Sequence, residues 1–360
     1  MIYDIGKKNK INPRKCGISV LRSKRYVRKP NYHLKVMGGT DVETGEHPWT
    51  VAIYMNDVYC CVGTLISNKH VITAAHCFFR EGVKPSLGKC RPKQAITEEE
   101  ALQHTKIMYG SKCLKRKKFS NCFNSKPMKT VGIIRAQYGR FFRQGCFGGD
   151  IALLELEHEI NEKDANYICL ASRILLNEKF YTIQSVGWGS NPAMKRILMN
   201  NLQKLEFHRL LDRNMCAEKI NNLPNDILCT EEAHNRNVCL GDSGAGLMVQ
   251  LHNGRWLLLG IVSYGSSCNK LLEKRAQPLA QVYTNVKMYR GEIDKFTEYF
   301  LPWEQPLMSV LLSSLLFPSP ITVLPSSPLI SSIMLLMSSP PSLPLMFMLR
   351  SSPPVLSSPV

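Results

Sequence analysis

Ser243 lies in the segment Cys239-Leu240-Gly241-Asp242-Ser243-Gly244. A hydroxyl is a poor nucleophile at neutral pH and acts only where a neighbouring group takes its proton. His76, in Thr73-Ala74-Ala75-His76-Cys77, is the candidate base. Asp150, in Gly149-Asp150-Ile151-Ala152-Leu153-Leu154, is the carboxylate that can orient the imidazole. A single histidine is ordinarily a partly buried structural residue, and Gly-Asp-Ser-Gly alone is a weak signal. Together, the three segments point to acyl transfer through an activated hydroxyl. An α/β-hydrolase site is excluded on two counts. Its elbow needs Gly-x-Ser-x-Gly, whereas Ala245 holds the fifth place, and its acid and base follow the serine rather than precede it.

These residues need a scaffold, and from Pro48 onward the chain reads as β-structure. Trp49–Tyr54, Gly63–Ser67 and Val71–Thr73 are strand-like, with short polar turns between them. Ile151–Leu156 reads as a buried strand directly after Asp150, where a carboxylate is costly unless a donor such as an imidazole N–H satisfies it. Trp256–Val262 and Val282–Val286 follow, then a final helix over roughly 287–300 with a packing role. Many short strands at close spacing predict an all-β barrel or sandwich.

The order His76, Asp150, Ser243, with the flanking motifs, resembles the chymotrypsin-like (trypsin-like) serine protease family. Ser185-Val186-Gly187-Trp188-Gly189 matches the family's Gly-Trp-Gly strand end. The resemblance covers residues 36–303 and implies two six-stranded antiparallel β-barrels with a C-terminal helix and the site in the cleft. It implies a serine endopeptidase working through an acyl-enzyme on protein or peptide substrates, with no cofactor and no metal. The N–H groups of Gly241 and Ser243 become the oxyanion donors. Ser263-Tyr264-Gly265 becomes the edge that pairs with substrate backbone. Lys35 followed by Val36-Met37-Gly38-Gly39 resembles a zymogen activation junction, cut by an activating protease so that the Val36 ammonium pairs with Asp242. Matching positions imply disulfides Cys61–Cys77, Cys216–Cys229, Cys239–Cys268 and Cys16–Cys169, the last tethering the leader. The specificity pocket departs from the pattern. Asn237 stands at the floor position where Asp selects Arg or Lys, with Val238 next to it. Gly265 fits the small wall residues of the family, but Gln281 stands where a second glycine is typical. No Arg or Lys preference is therefore expected. Ala245-Gly246 replaces the usual Gly-Pro after the serine, which keeps a second class in view: a catalytically impaired homologue that binds proteins or glycans.

The 360 residues carry a net charge of +18, unevenly placed. Residues 1–35 hold eleven Lys or Arg against Asp4 alone, and residues 78–149 hold sixteen against four Glu. The excess therefore belongs to a basic leader and to a segment containing a basic, Cys-rich insertion. Lys115-Arg116-Lys117-Lys118 is ordinarily a solvated face; its functional alternative is an exosite for an anionic glycan or acidic protein, and nothing indicates nucleic acid. Thirteen cysteines fit an oxidising, extracellular setting. The opening residues hold no apolar run, so the secretory signal is expected to be missing from this sequence. Cys113 and Cys122 are close enough to clip a small loop, leaving Cys90 and Cys146 as a further pair and Cys60 over. No CxxC or nearby His pair supports zinc instead. Residues 304–360 read as a Ser/Pro/Leu-rich low-complexity tail, interrupted by prolines too often to span a membrane.

Overall fold

After a two-residue strand, β1 (Thr40–Asp41), the chain enters a hairpin of β2 (Thr50–Met55) and β3 (Val58–Leu65). The turn residues Asn56 and Asp57 take φ of 50° and 60°, the paired left-handed geometry that suits a two-residue hairpin. β4 (His70–Thr73), β5 (Thr105–Tyr109), β6 (Lys129–Gln137) and β7 (Ala152–Leu156) complete a closed antiparallel barrel in the order β2-β3-β4-β7-β6-β5. In this computed structural model the described residues are 15–20, 37–83, 89–114, 122, 125–171, 182–194 and 200–298, all in the unit Met1–Pro302. Most of the leader including Val36, the Lys115–Lys118 run and the 304–360 tail lie outside them.

A second sheet is built from β8 (Cys169–Leu170), β9 (Thr182–Gly187), β10 (Gln203–Phe207), β11 (Ile227–Glu231), β12 (Gly246–Gln250), β13 (Trp256–Tyr264) and β14 (Ala280–Asn285), together with β1. Its order is β1-β10-β9-β12-β13-β14-β11, with β8 added in parallel to β13. Without the two-residue additions β1 and β8, six antiparallel strands remain, the number expected for the second barrel. The isolated bridge Leu211↔Cys229 joins the segment after β10 to β11 and brings the two ends of that sheet together. The core is dominated by large, fully buried side chains, among them Trp49, Trp188, Tyr283, Phe78 and Phe142.

The 78–149 segment is not all insertion, since it supplies β5 and β6. It also holds α1 (Glu98–His104), whose start is fixed by a reciprocal Thr97/Glu100 capping box, and α2 (Gly139–Arg143). α3 (Arg213–Lys219), capped by Asp212, and α4 (Cys268–Leu272) flank the second sheet. The final helix is shorter than expected: a 3-10 turn, Val286–Tyr289, precedes α5 (Arg290–Thr297), and Glu298 at φ 56° ends it in a left-handed cap.

Six disulfides join Cys16–Cys169, Cys61–Cys77, Cys90–Cys146, Cys113–Cys122, Cys216–Cys229 and Cys239–Cys268. Cys60 is the free cysteine, and burial pushes its thiol up to about 12, well away from thiolate reactivity at neutral pH. Among the described residues, no helix is long and apolar enough to cross a membrane and no cluster of three His, Cys, Asp or Glu could hold a metal.

Candidate active site

Strand register brings His76 and Asp150 together. β4 and β7 pair antiparallel with Thr73 opposite Ala152, so the residues just after one strand and just before the other emerge at the same barrel end. His76 sits in the 3-10 turn Ala75–Phe78, clamped by Cys61–Cys77 and by Phe78 stacked on Tyr138 at 4.3 Å. Asp150 Oδ1 accepts the His76 backbone N–H at 2.9 Å, and Oδ2 faces Nδ1 of the ring at 2.7 Å. With Nδ1 engaged, Nε2 is the nitrogen left for a proton transfer.

Electrostatics follow from that contact. Burial alone would lower the imidazole's pKa, but the Asp150 charge and hydrogen bond outweigh it and hold His76 above its usual range. Burial alone would raise Asp150, yet His76, the Ser263 hydroxyl and the His76 N–H together hold its carboxyl below the usual value. Asp150 stays ionised and His76 is a stronger base than a free imidazole.

The loop before Asp150 is fixed by partners far away in sequence. Gly149, at φ 71°, donates its N–H to Asp226 Oδ2 at 2.6 Å, and the Tyr289 hydroxyl donates to the same oxygen. A β-carbon on Gly148 would lie 2.8 Å from Asp226 Oδ1, which is why the chain there must be glycine. The Ser263 hydroxyl donates to Asp150 Oδ2 at 2.5 Å and Thr284 Oγ1 donates to the Asp150 carbonyl at 2.8 Å. Asp226, Ser263 in this role, and Thr284 escaped the sequence reading.

Ser243 arrives from the second sheet. β12 pairs with β13 with Gly246 opposite Ile261, and the Gly244 N–H donates to Val262 O at 3.0 Å. The Ser243 carbonyl accepts the Val62 N–H of β3 at 2.8 Å. Gly244, at φ 79°, packs so closely on the first barrel that a β-carbon would fall 2.1 Å from Thr73 Oγ1 and 2.3 Å from Val62 O. The nucleophile candidate is thereby seated beside Thr73-Ala74, the residues that lead into His76, and beside Val262-Ser263, which leads to Asp150. No hydrogen bond joins the Ser243 hydroxyl to His76 among the described residues, a contact that commonly tightens only with substrate in place.

The N–H groups of Gly241 and Ser243, the expected oxyanion donors, have no partner among the described residues. Gly241 sits at φ 96°, and its carbonyl accepts the Tyr59 hydroxyl at 2.6 Å. Ala245 is fully buried, takes no left-handed conformation and donates its N–H to Asp242 O at 3.0 Å. The Asp242 carboxylate accepts N–H groups from Gly189 at 2.7 Å and Cys239 at 3.0 Å. Burial raises it to about 6, since two backbone donors only partly offset a charge taken out of water. Val36, its expected partner, lies outside the described residues.

A cavity of about 560 Å³ adjoins Ser243, bounded by Val238, Leu240, Tyr264, Gly265, Ser266 and Gln281. Asn237 is fully buried and is not among its lining residues; its Nδ2 donates to Glu232 at 3.0 Å. Gln281 lines the cavity, its Nε2 donating to Tyr264 O at 2.9 Å. Ser263 falls in a bulge of β13 between Val262 and Tyr264, unpaired with β14.

Comparison with known proteins gives a consistent placement. The sequence model of the Trypsin family matches residues 36–293. The trypsin-like protease try-5 of Caenorhabditis elegans is 34% identical over 281 residues, covering 72% of this chain and 85% of that protein. Mouse ovochymase-2 is 29% identical over 303 residues, and bovine coagulation factor XI is 28% identical over 261 residues. These cover 80% and 71% of this chain but only 43% and 36% of the two longer proteins.

Proposed function

The chain belongs to the trypsin family, and on that premise we propose that it is a serine endopeptidase in which Ser243, His76 and Asp150 perform acyl transfer. The supporting observation is the His76–Asp150 pair, with Nδ1 held at 2.7 Å and Nε2 left over. His76 takes the Ser243 proton as Oγ bonds to the scissile carbonyl carbon. The carbonyl oxygen, now an anion, accepts the N–H groups of Gly241 and Ser243. Each such donor is worth about 2.7–4 kcal/mol in the transition state. His76 then protonates the departing amine. Water repeats the sequence on the acyl-enzyme, and Asp150 stabilises the imidazolium in both halves.

Activation follows cleavage after Lys35. The new Val36 ammonium is the partner that Asp242 lacks, and leaving a buried charge unpaired typically costs about 3–5 kcal/mol. Secretion is supported by the six disulfides, which persist in oxidising compartments. Gln281 beside Gly265 disfavours Arg and Lys at the cleaved bond. A fluorophosphonate probe tests the core of the reading, because it labels only an activated serine. Labelling is expected after cleavage following Lys35, weakly or not at all before it, and never in Ser243→Ala. An unlabelled, correctly cut chain refutes it.

A further inference from the structure

Behind the cavity wall lies a carboxylate that the acyl-transfer chemistry does not use. Glu232 is buried, with Oε1 accepting Asn237 Nδ2 at 3.0 Å and the Ser266 N–H at 2.7 Å, and Oε2 accepting the Leu279 N–H at 2.9 Å. Gln281 lies beside it. An ideal β-carbon on Gly265 would be 2.2 Å from Gln281 Oε1 and 2.8 Å from Glu232 Oε1, so both oxygens crowd the same flank of that glycine. Gln281 lines the cavity; Glu232 and Asn237 do not. The Gln281 Nε2 is engaged by Tyr264 O and Val282 O, at 2.9 and 3.3 Å. This pins the amide with its oxygen towards Gly265, where it accepts no hydrogen bond among the described residues.

We propose that Gln281 sets the primary specificity by sealing the Glu232 anion behind a neutral amide, so that the pocket selects uncharged side chains carrying a hydrogen-bond donor: Asn, Gln, Ser or Thr. The inference rests on the endopeptidase reading. A guanidinium or ammonium entering the cavity is stripped of water yet finds only a neutral amide oxygen at contact distance; Glu232, its three donors already in place, attracts it from behind that amide, which offsets only part of the desolvation cost. An acidic side chain meets an acceptor in front of a negative charge, in a site where water screens little. An apolar one leaves the Gln281 oxygen desolvated without a donor. The same geometry makes Gln281 a removable barrier: without its side chain, the path from Gly265 to Glu232 opens.

The test compares the cut full-length chain with Gln281→Gly, Gln281→Ala and Gln281→Gly/Glu232→Gln, each checked for cooperative melting. With a peptide library, the wild type is expected to favour Asn, Gln, Ser and Thr before the cleaved bond by at least about tenfold over Arg and Lys, the scale of one neutral hydrogen bond. Gln281→Gly should shift the Arg-to-Asn ratio upward by about 10–100-fold, as a charged hydrogen bond allows. Benzamidine, an amidinium cation, provides a readout independent of turnover. It should bind Gln281→Gly and Gln281→Ala at least tenfold tighter than wild type, and the gain should vanish in the double variant. A wild type that prefers basic, acidic or purely apolar residues overturns the proposal, as does equal benzamidine binding by all folded variants. Failure of fluorophosphonate labelling refutes the endopeptidase reading instead, and the benzamidine series still decides whether Gln281 covers Glu232.

Discussion

Asp242 offers a quantitative handle on activation. Its buried carboxyl is raised by desolvation from 3.8 to about 6, which corresponds to ~3 kcal/mol. The sign follows from linkage. A folded-state value above the unfolded one means that the protonated form is favoured by folding. That contribution is complete below about pH 4 and is lost as pH rises through about 6. In the uncut chain, Asp242 should therefore become a liability of ~3 kcal/mol by pH 7. Other carboxylates move the opposite way: Asp150, Glu46 and Glu155 are all held low. The informative quantity is thus the difference between the wild type and Asp242→Asn, measured by urea unfolding at pH steps from 4 to 7. The asparagine loses one of the two N–H contacts from Gly189 and Cys239, giving a constant offset that cancels from the slope. The variant should gain ~3 kcal/mol relative to wild type between pH 4 and 7 in the uncut chain. After cleavage following Lys35 that gain should disappear, because the Val36 ammonium compensates the charge. A flat difference across this range in the uncut chain would refute the claim that Asp242 is an uncompensated buried acid.

Four further expectations can be checked directly. The proposed catalysis needs neutral His76, whose pKa the Asp150 charge and hydrogen bond hold above the usual imidazole value despite burial, so kcat/KM should fall on the acid side at a pH higher than an ordinary histidine would give. Asp150→Asn should lower kcat/KM by about 10³–10⁴-fold and move that acid limb down, measured as a pH–rate profile. Tyr59→Phe removes only the hydroxyl that holds the Gly241 carbonyl at 2.6 Å. It should lower kcat about tenfold with little change in KM or melting temperature, because the adjacent oxyanion donor loses its orientation. Gly244→Ala places a β-carbon 2.1 Å from Thr73 Oγ1 at a residue with φ 79°. It should destabilise the chain by more than ~3 kcal/mol in chemical denaturation, and an unchanged midpoint would contradict the close seating of this turn on β3 and β4.

The candidate chemistry-bearing residues are readable from sequence because the roles proposed for them demand particular residue types inside short, recognisable segments. His76, Asp150 and Ser243 each carry such a context, as does the β-pattern from Trp49 onward. The groups that orient them carry none. Ser263 reaches Asp150 across 113 residues, Asp226 reaches Gly149 across 77, and Tyr59 reaches Gly241 across 182. A single hydroxyl or carboxyl has no local spacing that announces a partner so distant. Glu232 was hidden for the same reason, while Asn237, the expected pocket floor, is fully buried against Glu232 and does not line the cavity. Other differences are local. β1 and β8 are two residues long, too short to show an alternating pattern. Thr97 and Glu100 did contain a helix-start signature that places α1 within the basic segment. The early end of α5 at Thr297 reflects a left-handed Glu298, a conformation that its residue type does not foretell.

The candidate site is also a place where the two sheets are bonded to one another. Ser243 belongs by chain to the second sheet, yet its carbonyl is bonded by Val62 of the first, and Gly244 packs against Thr73. Asp150 belongs to the first sheet, yet Ser263, Thr284 and, through Gly149, Asp226 fix it from the second. Loops at a sheet edge would otherwise leave backbone donors and acceptors for water to satisfy. Here the crossing contacts consume several of them, whereas the Gly241 and Ser243 N–H groups have no partner among the described residues. In the proposed mechanism those two donors are satisfied by the anion that forms at the scissile carbonyl. A substitution that loosens any one crossing bond should therefore reduce the rate more than the stability, because its main effect is to disorder the geometry of donors that are already unsatisfied.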